Sequence, residues 1–319
     1  MNEDMWDVPG HDLPPGAMSW PAADEDDRII GRCRNFGIKP EGRFERERLA
    51  MELKRLCEGI HLQEEIRGDV EAFYHSPDFA GTEVFLGGLK RMETEAQARE
   101  ELGRYLGDDP KKIRMLTCML VCGADLHRWY QEKGISDRIF FDTMGCFTRF
   151  VKECREITGD YAFDREWWTA RQVSGQLFRI GALEYERKGE KDKAVISIHI
   201  PSDAILTGEN CDRSMEEARA FFGKHFPEYR DRDYICHSWL LAPELGRLLP
   251  ADSHILAFQR KFRIVDVDYQ GADYLQWVFK TRDLPLEKLP EKTLLQRNMK
   301  RHLSEGGKVG SGFGVWVGT

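Results

Sequence analysis

The chain has 319 residues, 41% of them hydrophobic and 32% charged, the composition of a soluble globular protein about twice the size of a ~150-residue domain. A net charge of −8 excludes a generally basic surface for nucleic acid or anionic membrane, while a local basic pocket for a phosphate-bearing ligand stays open. The opening residues M-N-E-D-M-W-D-V have no basic or apolar signal region, and no apolar run reaches 18 residues, so neither a signal peptide nor a membrane span is expected. The eight cysteines lack the spacing of a small disulfide scaffold and are expected to be reduced thiols in a cytoplasmic protein.

Residues 1–27, rich in Pro, Gly and Asp, read as a loose arm at the head of a helical domain over residues 1–163. From about Arg43 the pattern turns helical, with Leu49, Leu53 and Leu56 on one stripe. Pro110 is suited to open a second helix, whose body I-R-M-L-T-C-M-L-V-C-G-A-D-L is apolar almost all round and therefore core. Ser136 caps a third, with Phe140, Met144, Phe147, Val151 and Cys154 at three- and four-residue steps before Gly159. A second domain is expected over residues 164–319. There R-I-G-A-L-E-Y-E-R and A-V-I-S-I-H-I alternate as half-buried strands around the charged turn R-K-G-E-K-D-K. Ser214 with Glu217 has the form of a capping box for a helix through Phe222. D-Y-I-C-H-S-W-L-L and R-I-V-D-V-D-Y read as further strands, with Y-L-Q-W-V-F-K as another candidate, and Glu291–Leu303 reads as a helix before the terminal K-V-G-S-G-F-G-V-W-V-G. The fold class is α+β: a helical domain followed by a mixed sheet with flanking helices.

The terminal glycines invite a phosphate-loop reading, but such a loop needs strand, turn and helix in that order. Here a helix precedes the glycines and five residues follow Gly314. Gly310, Gly312 and Gly314 alternate instead, so a strand would present one face stripped to backbone, to be covered by a packed element or by a ligand. Cys236-His237-Ser238 resembles a nucleophile beside its base, yet neighbours in a strand point to opposite faces, so His237 would act apart from Cys236 and Ser238. In I-S-I-H-I-P-S, Ile196, Ile198 and Ile200 share the core side, and His199 lies on the polar side at a strand end, where α/β sites gather. Cys118 and Cys122 are one helical turn apart, but His127 is on the opposite side, so no metal site is expected. Trp167 and Trp168 read as core or interface residues.

W-W-T-A-R-Q-V-S-G-Q-L-F-R-I-G-A-L-E-Y-E, I-S-I-H-I-P-S, C-H-S-W-L-L and K-V-G-S-G-F-G-V together resemble a bacterial acyltransferase family, in which a helical N-acyltransferase domain precedes a GNAT-like C-terminal domain. The resemblance implies acetyl-CoA or another acyl-CoA as donor, an amine as acceptor, no metal, no membrane or nucleic-acid partner, and room for a homodimer. Such transfer needs a base for the ammonium, an acid for the leaving thiolate, and backbone N–H groups for pyrophosphate and thioester carbonyl. The base candidates are His199 and His237, and the acid candidates Ser202, Ser238 and Tyr234. The loop after His199 becomes the donor site, with Ile200, Ser202, Thr207, Gly208, Arg213 and Ser214 as its residues. The strand ending at Pro201 is expected to splay from its neighbour around pantetheine. Residues 202–214 lack the Q/R-x-x-G-x-G/A pattern usual in GNAT enzymes, and Gln172-Val-Ser-Gly175-Gln-Leu177 fails at its last position and precedes a strand. A noncatalytic binding protein on the same scaffold, and a hydrolase using Cys236 or Ser238, are the alternatives.

Overall fold

The computed structural model describes residues 43–281 and 284–318; the expected N-terminal arm lies outside them. The helical part runs α1 (Arg43–Gly59), α2 (Glu64–Tyr74), α3 (Pro77–Ala80), α4 (Glu83–Leu89) and α5 (Glu95–Leu106), then α6 (Ile113–Glu132), α7 (Asp137–Met144), α8 (Cys146–Thr158) and α9 (Glu166–Val173). The leucine stripe of α1 is buried, with Leu49, Leu53 and Leu56 at 4%, 4% and 1% exposure, each burial worth roughly 1.5–3 kcal/mol. α6 is the central helix, and Leu116, Cys118, Met119 and Leu120 are fully buried. Pro110 sits in the turn before α6, which starts at Ile113 after Lys112 adopts a left-handed conformation. Ser136 caps α7 by accepting from the Ile139 amide at 3.4 Å. The expected third helix is two, α7 and α8, meeting at Gly145, and Gly159 closes α8 at φ +88°.

The sheet is β1 (Leu177–Ile180), β2 (Leu183–Lys188), β3 (Val195–His199), β4 (Tyr234–Ser238), β5 (Phe262–Asp268) and β6 (Ser311–Trp316), in the order β1-β2-β3-β4-β6-β5. All neighbours are antiparallel except β3 and β4. What alternation presented as one strand, R-I-G-A-L-E-Y-E-R, is the β1–β2 hairpin, turned at Gly181 with φ +63°. Helix α10 (Gly208–His225) connects β3 to β4. Helices α11 (Leu245–Leu248) and α12 (His254–Gln259) lie between β4 and β5, and α13 (Asp273–Phe279) and α14 (Leu294–Ser304) between β5 and β6. Y-L-Q-W-V-F-K is thus helical, because Val278 and Phe279 join the cluster of Leu245, Leu248, Leu256 and Met299.

Register assigns each residue a face. Phe178, Ile180, Leu183, Tyr185, Ile196, Ile198, Tyr234 and Cys236 share one face, all buried. α10 packs there through Phe221 and Phe222, whose rings meet Phe178 at 4.9 and 6.2 Å. The glycines Gly312 and Gly314 lie on this face too, under the 3-10 turn Trp239–Leu241. The stripped strip is therefore covered by protein: a Cβ on Gly312 would meet the Leu241 carbonyl oxygen at 2.4 Å. Gly312→Ala should destabilise the fold by about 1–3 kcal/mol through this backbone clash, read as a lower urea midpoint; Gly246→Ala, with open space at its Cβ, should leave the midpoint within about 1 kcal/mol. Equal midpoints for the two variants would contradict the packing.

Candidate active site

On the opposite face Glu184 pairs with His199 and Glu186 with Ser197, while parallel register aligns Ser197 with Ile235. Continuing the alternation puts His199 and His237 on this same face, at the C-terminal ends of neighbouring strands. The β3–β4 ladder comprises two pairs, Ile196 with Tyr234 and Ser197 with Ile235. Both strands continue, to His199 and to Ser238, with no further ladder pair between them. The Ile196 amide donates to the Asp233 carbonyl at 3.0 Å, so alternation turns the backbone of Asp233, Ile235 and His237 toward β3. The His237 amide therefore faces the β3 side beyond the last ladder pair, while its side chain is exposed 6.5 Å from the Phe313 ring.

His199 is held by two groups, and a third residue braces both. Its Nε2 lies 2.8 Å from Glu186 Oε2, and its ring meets Trp168 edge-to-face at 4.9 Å. Arg171, one turn after Trp168 on α9, donates from Nε to Glu186 Oε1 at 3.0 Å and lies over the Trp168 ring at 4.7 Å. Burial alone would raise the Glu186 carboxyl, but the His199 bond and the charges of His199, Lys188 and Arg171 outweigh it and hold it at about 2. An ionised carboxylate only accepts, so Nε2 is the donor in this bond.

Beside this arrangement lies a buried charge cluster. Arg149 on α8 donates from Nη2 to Glu184 at 2.6 Å. Glu153, one turn later, is approached by Arg149 and Arg165 at 3.7 and 3.5 Å and accepts from the Ser202 hydroxyl. Burial pushes the Glu153 carboxyl upward against those partners.

The remaining candidates fall differently. Ser202 and Asp203 lie in the exposed loop after β3, and Ile200 at its start is half-buried. The helix expected at Ser214 starts six residues earlier, where Thr207 caps Gly208–His225 by accepting from the Asn210 amide. Ser214 is corrected from a donor-site residue to an internal clamp. Its hydroxyl bonds the Ile180 carbonyl, the Leu183 amide and the Tyr185 hydroxyl, tying α10 to the β1–β2 hairpin. Thr207 and Gly208 take the helix start, while Arg213 is exposed and bonded to Asn210. Tyr234 is corrected as acid: it pairs beside Ile196 at the closed end of the strands, about 13 Å of strand from Ser238, and burial pushes its phenol up to about 12. Ser238 is on the glycine face, and its hydroxyl accepts from the Leu240 amide to cap the 3-10 turn. Cys236 is fully buried and its thiol is pushed up by burial, which removes it as a nucleophile. Glu186 and Arg171 went unmarked in the sequence, and Trp168 read as a core or interface residue, because only the β2–β3 register sets an acid beside His199.

The comparisons with known proteins follow this geometry. Residues 51–175 match the N-acyltransferase N-terminal domain, and residues 177–316 match the GNAT-like C-terminal domain. The chain belongs to this acyltransferase family. Solved structures of acyltransferases share the fold. One in complex with decanoyl-CoA and teicoplanin has a TM-score of 0.73 and 23% identity, over 92% of this chain and 95% of that one. A mutant with octanoyl-CoA matches with the same TM-score, identity and coverage. One with CoA and 10C-teicoplanin matches at a TM-score of 0.73 and 23% identity, over 93% of this chain and 96% of that one. No curated protein matches the chain in sequence. No helix among the described residues is long and apolar enough to cross a membrane, and no group of three or more His, Cys, Asp or Glu there could hold a metal.

A carboxyl held below its ordinary value contributes stability above that value and loses it as pH falls. For Glu186 the loss runs from about 4.5 down to about 2. Relative to Glu186→Gln, the parent protein should lose on the order of 2 kcal/mol more between about pH 6 and pH 3, measured by urea unfolding at both pH values. Parallel losses in the two proteins would contradict this account.

Proposed function

We propose that the protein transfers an acyl group from an acyl-CoA thioester to an amine, with His199 as general base. The observation that carries this reading is a Glu186-held histidine at the C-terminal end of β3, where the ladder to β4 has stopped at Ser197 and Ile235. An extended pantetheine arm inserted there would meet the backbone of His237, which no longer pairs with β3. The amide of His237 would then polarise the thioester carbonyl. The start of α10, with the unpaired amides that follow Thr207, would take pyrophosphate.

In this mechanism Nδ1 of His199 removes a proton from the ammonium, and Glu186 meets the charge the ring acquires. The amine nitrogen then attacks the thioester carbon, and a tetrahedral intermediate forms. Its collapse breaks the C–S bond and releases the CoA thiolate, which takes up a proton. Of the acid candidates Ser202 is the one at the open end of β3, and its hydroxyl is bonded to buried Glu153. His237, exposed on the same face, is a proton route for the acceptor side. The working division is a helical domain through residue 163, whose neighbour α9 shields the base, and a sheet domain from residue 164. The donors in the solved neighbours, octanoyl- and decanoyl-CoA, support a medium-chain thioester as donor, and teicoplanin supports a bulky acceptor bearing the amine. The seven cysteines among the described residues are all buried, which supports a reducing, cytoplasmic setting.

One observation favours a noncatalytic binding protein instead, the absent Q/R-x-x-G-x-G/A pattern in residues 202–214. A thermal-shift series from acetyl-CoA to decanoyl-CoA, followed by thiol release with an amine acceptor, separates the readings. The proposal expects a raised melting temperature and turnover, and His199→Gln should lower kcat by about 10²–10⁴ while CoA binding persists. Binding without turnover for any amine tried would favour the noncatalytic reading, and no shift with any donor would overturn both.

A further inference from the structure

Glycines normally let a phosphate loop bend into shapes that ordinary residues resist. The loop from Ile200 to Gly208 has no residue at positive φ, so its backbone does not use that freedom. Its shape comes from side chains. Asp203 accepts from Arg179 Nη1 through both oxygens, at 2.7 and 3.0 Å, and lies 3.7 Å from Arg149 Nη1. Ser202 donates to Glu153, and the Ala204 amide closes a turn onto the Pro201 carbonyl at 2.9 Å. Asn210 donates to the Ile205 carbonyl at 3.1 Å. Every outside anchor of the loop's first half is therefore a charged residue of β1 or of α8.

Arg149 is the connecting member. Its side chain is 7% exposed, and one end of its guanidinium bonds Glu184, the residue directly opposite His199. Its Nε and Nη1 have no hydrogen-bond partner, and their ionic neighbours Glu153 and Asp203 stand at 3.7 Å each. A buried guanidinium with unused donors, of which Nη1 faces the loop and Nε faces Glu153, costs desolvation energy that a closer approach would recover in part. A small inward movement of Asp203 would supply it.

Resting on the acyl-CoA reading, we infer that Arg149, Arg179 and Glu153 are positioning residues that shape the donor loop through Asp203 and Ser202, in place of the missing glycine pattern. A loop already ordered loses less conformational freedom when a donor binds, so the network acts on donor affinity more than on the chemical step. Arg149 also joins that loop to the strand beside the base, so loop and base keep one relative position.

Asp203 is the residue to test, because its side chain is 54% exposed and its replacement does not empty the core. The probe is coenzyme A itself, measured by calorimetry on the full chain, with KM and kcat taken for whichever acyl-CoA is turned over. Asp203→Asn is expected to weaken coenzyme A binding and raise the donor KM about three- to tenfold. The fall in kcat should be smaller, and Asp203→Glu should restore part of the affinity. Unliganded melting temperatures of the two variants report folding separately. Parent-like coenzyme A binding by Asp203→Asn, or a loss in kcat at constant KM, overturns the inference while leaving the acyl-CoA reading standing. A parent protein that does not bind coenzyme A overturns both.

Discussion

Two carboxylates, Glu184 and Glu186, are buried side by side on one face of β2, and that constraint organises the molecule. An unpaired buried carboxylate costs several kcal/mol, so each must meet a cation or a proton donor. The cations come from outside the sheet: Arg149 from α8 to Glu184 and Arg171 from α9 to Glu186. Arg149 thereby ties α8, and Arg171 ties α9, to β2 by specific charges as well as by apolar contact. Glu186 has a second oxygen to satisfy, and His199 satisfies it. The carboxylate that anchors α9 thus also holds the His199 ring.

The other face of the sheet is governed by close packing. Aromatic residues of α10 fill it beside β1 and β2, and Gly312 and Gly314 allow the 3-10 turn after β4 to rest on backbone. Ser214 pins α10 to the β1–β2 hairpin with three bonds. With helix and sheet so fixed, the segment between β3 and α10 begins at the open end of the parallel pair. One face of the strands is thus built for rigidity, and the other carries the ionisable groups.

Much of this was legible in the residues. Alternation in I-S-I-H-I placed Ile196, Ile198 and Ile200 on the core side and His199 on the other, and the structure buries Ile196 and Ile198 but leaves Ile200, past the end of β3, half-buried. The α1 stripe, the core character of α6 and the Ser136 cap also follow from local pattern, because each depends on neighbours three or four residues away. The local pattern misled at Ser214, where a serine and a glutamate at capping spacing lie inside a helix that Thr207 starts. A hydroxyl serves a cap or a tertiary clamp equally well, and only the hairpin packed beside it decides which. Tyr234 and Ser238 were similarly ambiguous, since a strand's two ends and two faces look alike until its partners are known.

The sequence by itself determined the helical-then-sheet order, the face assignments within each strand, and the exclusion of a phosphate role for the terminal glycines, because these follow from chain order and from periodicities of two and 3.6. Tertiary structure alone decided that the β3–β4 ladder ends at Ser197 and Ile235, that Glu186 meets His199, and that Arg149 reaches both Glu184 and Asp203. Those relations join residues 13 to 54 positions apart, and register and helix docking, which no local pattern encodes, bring them together.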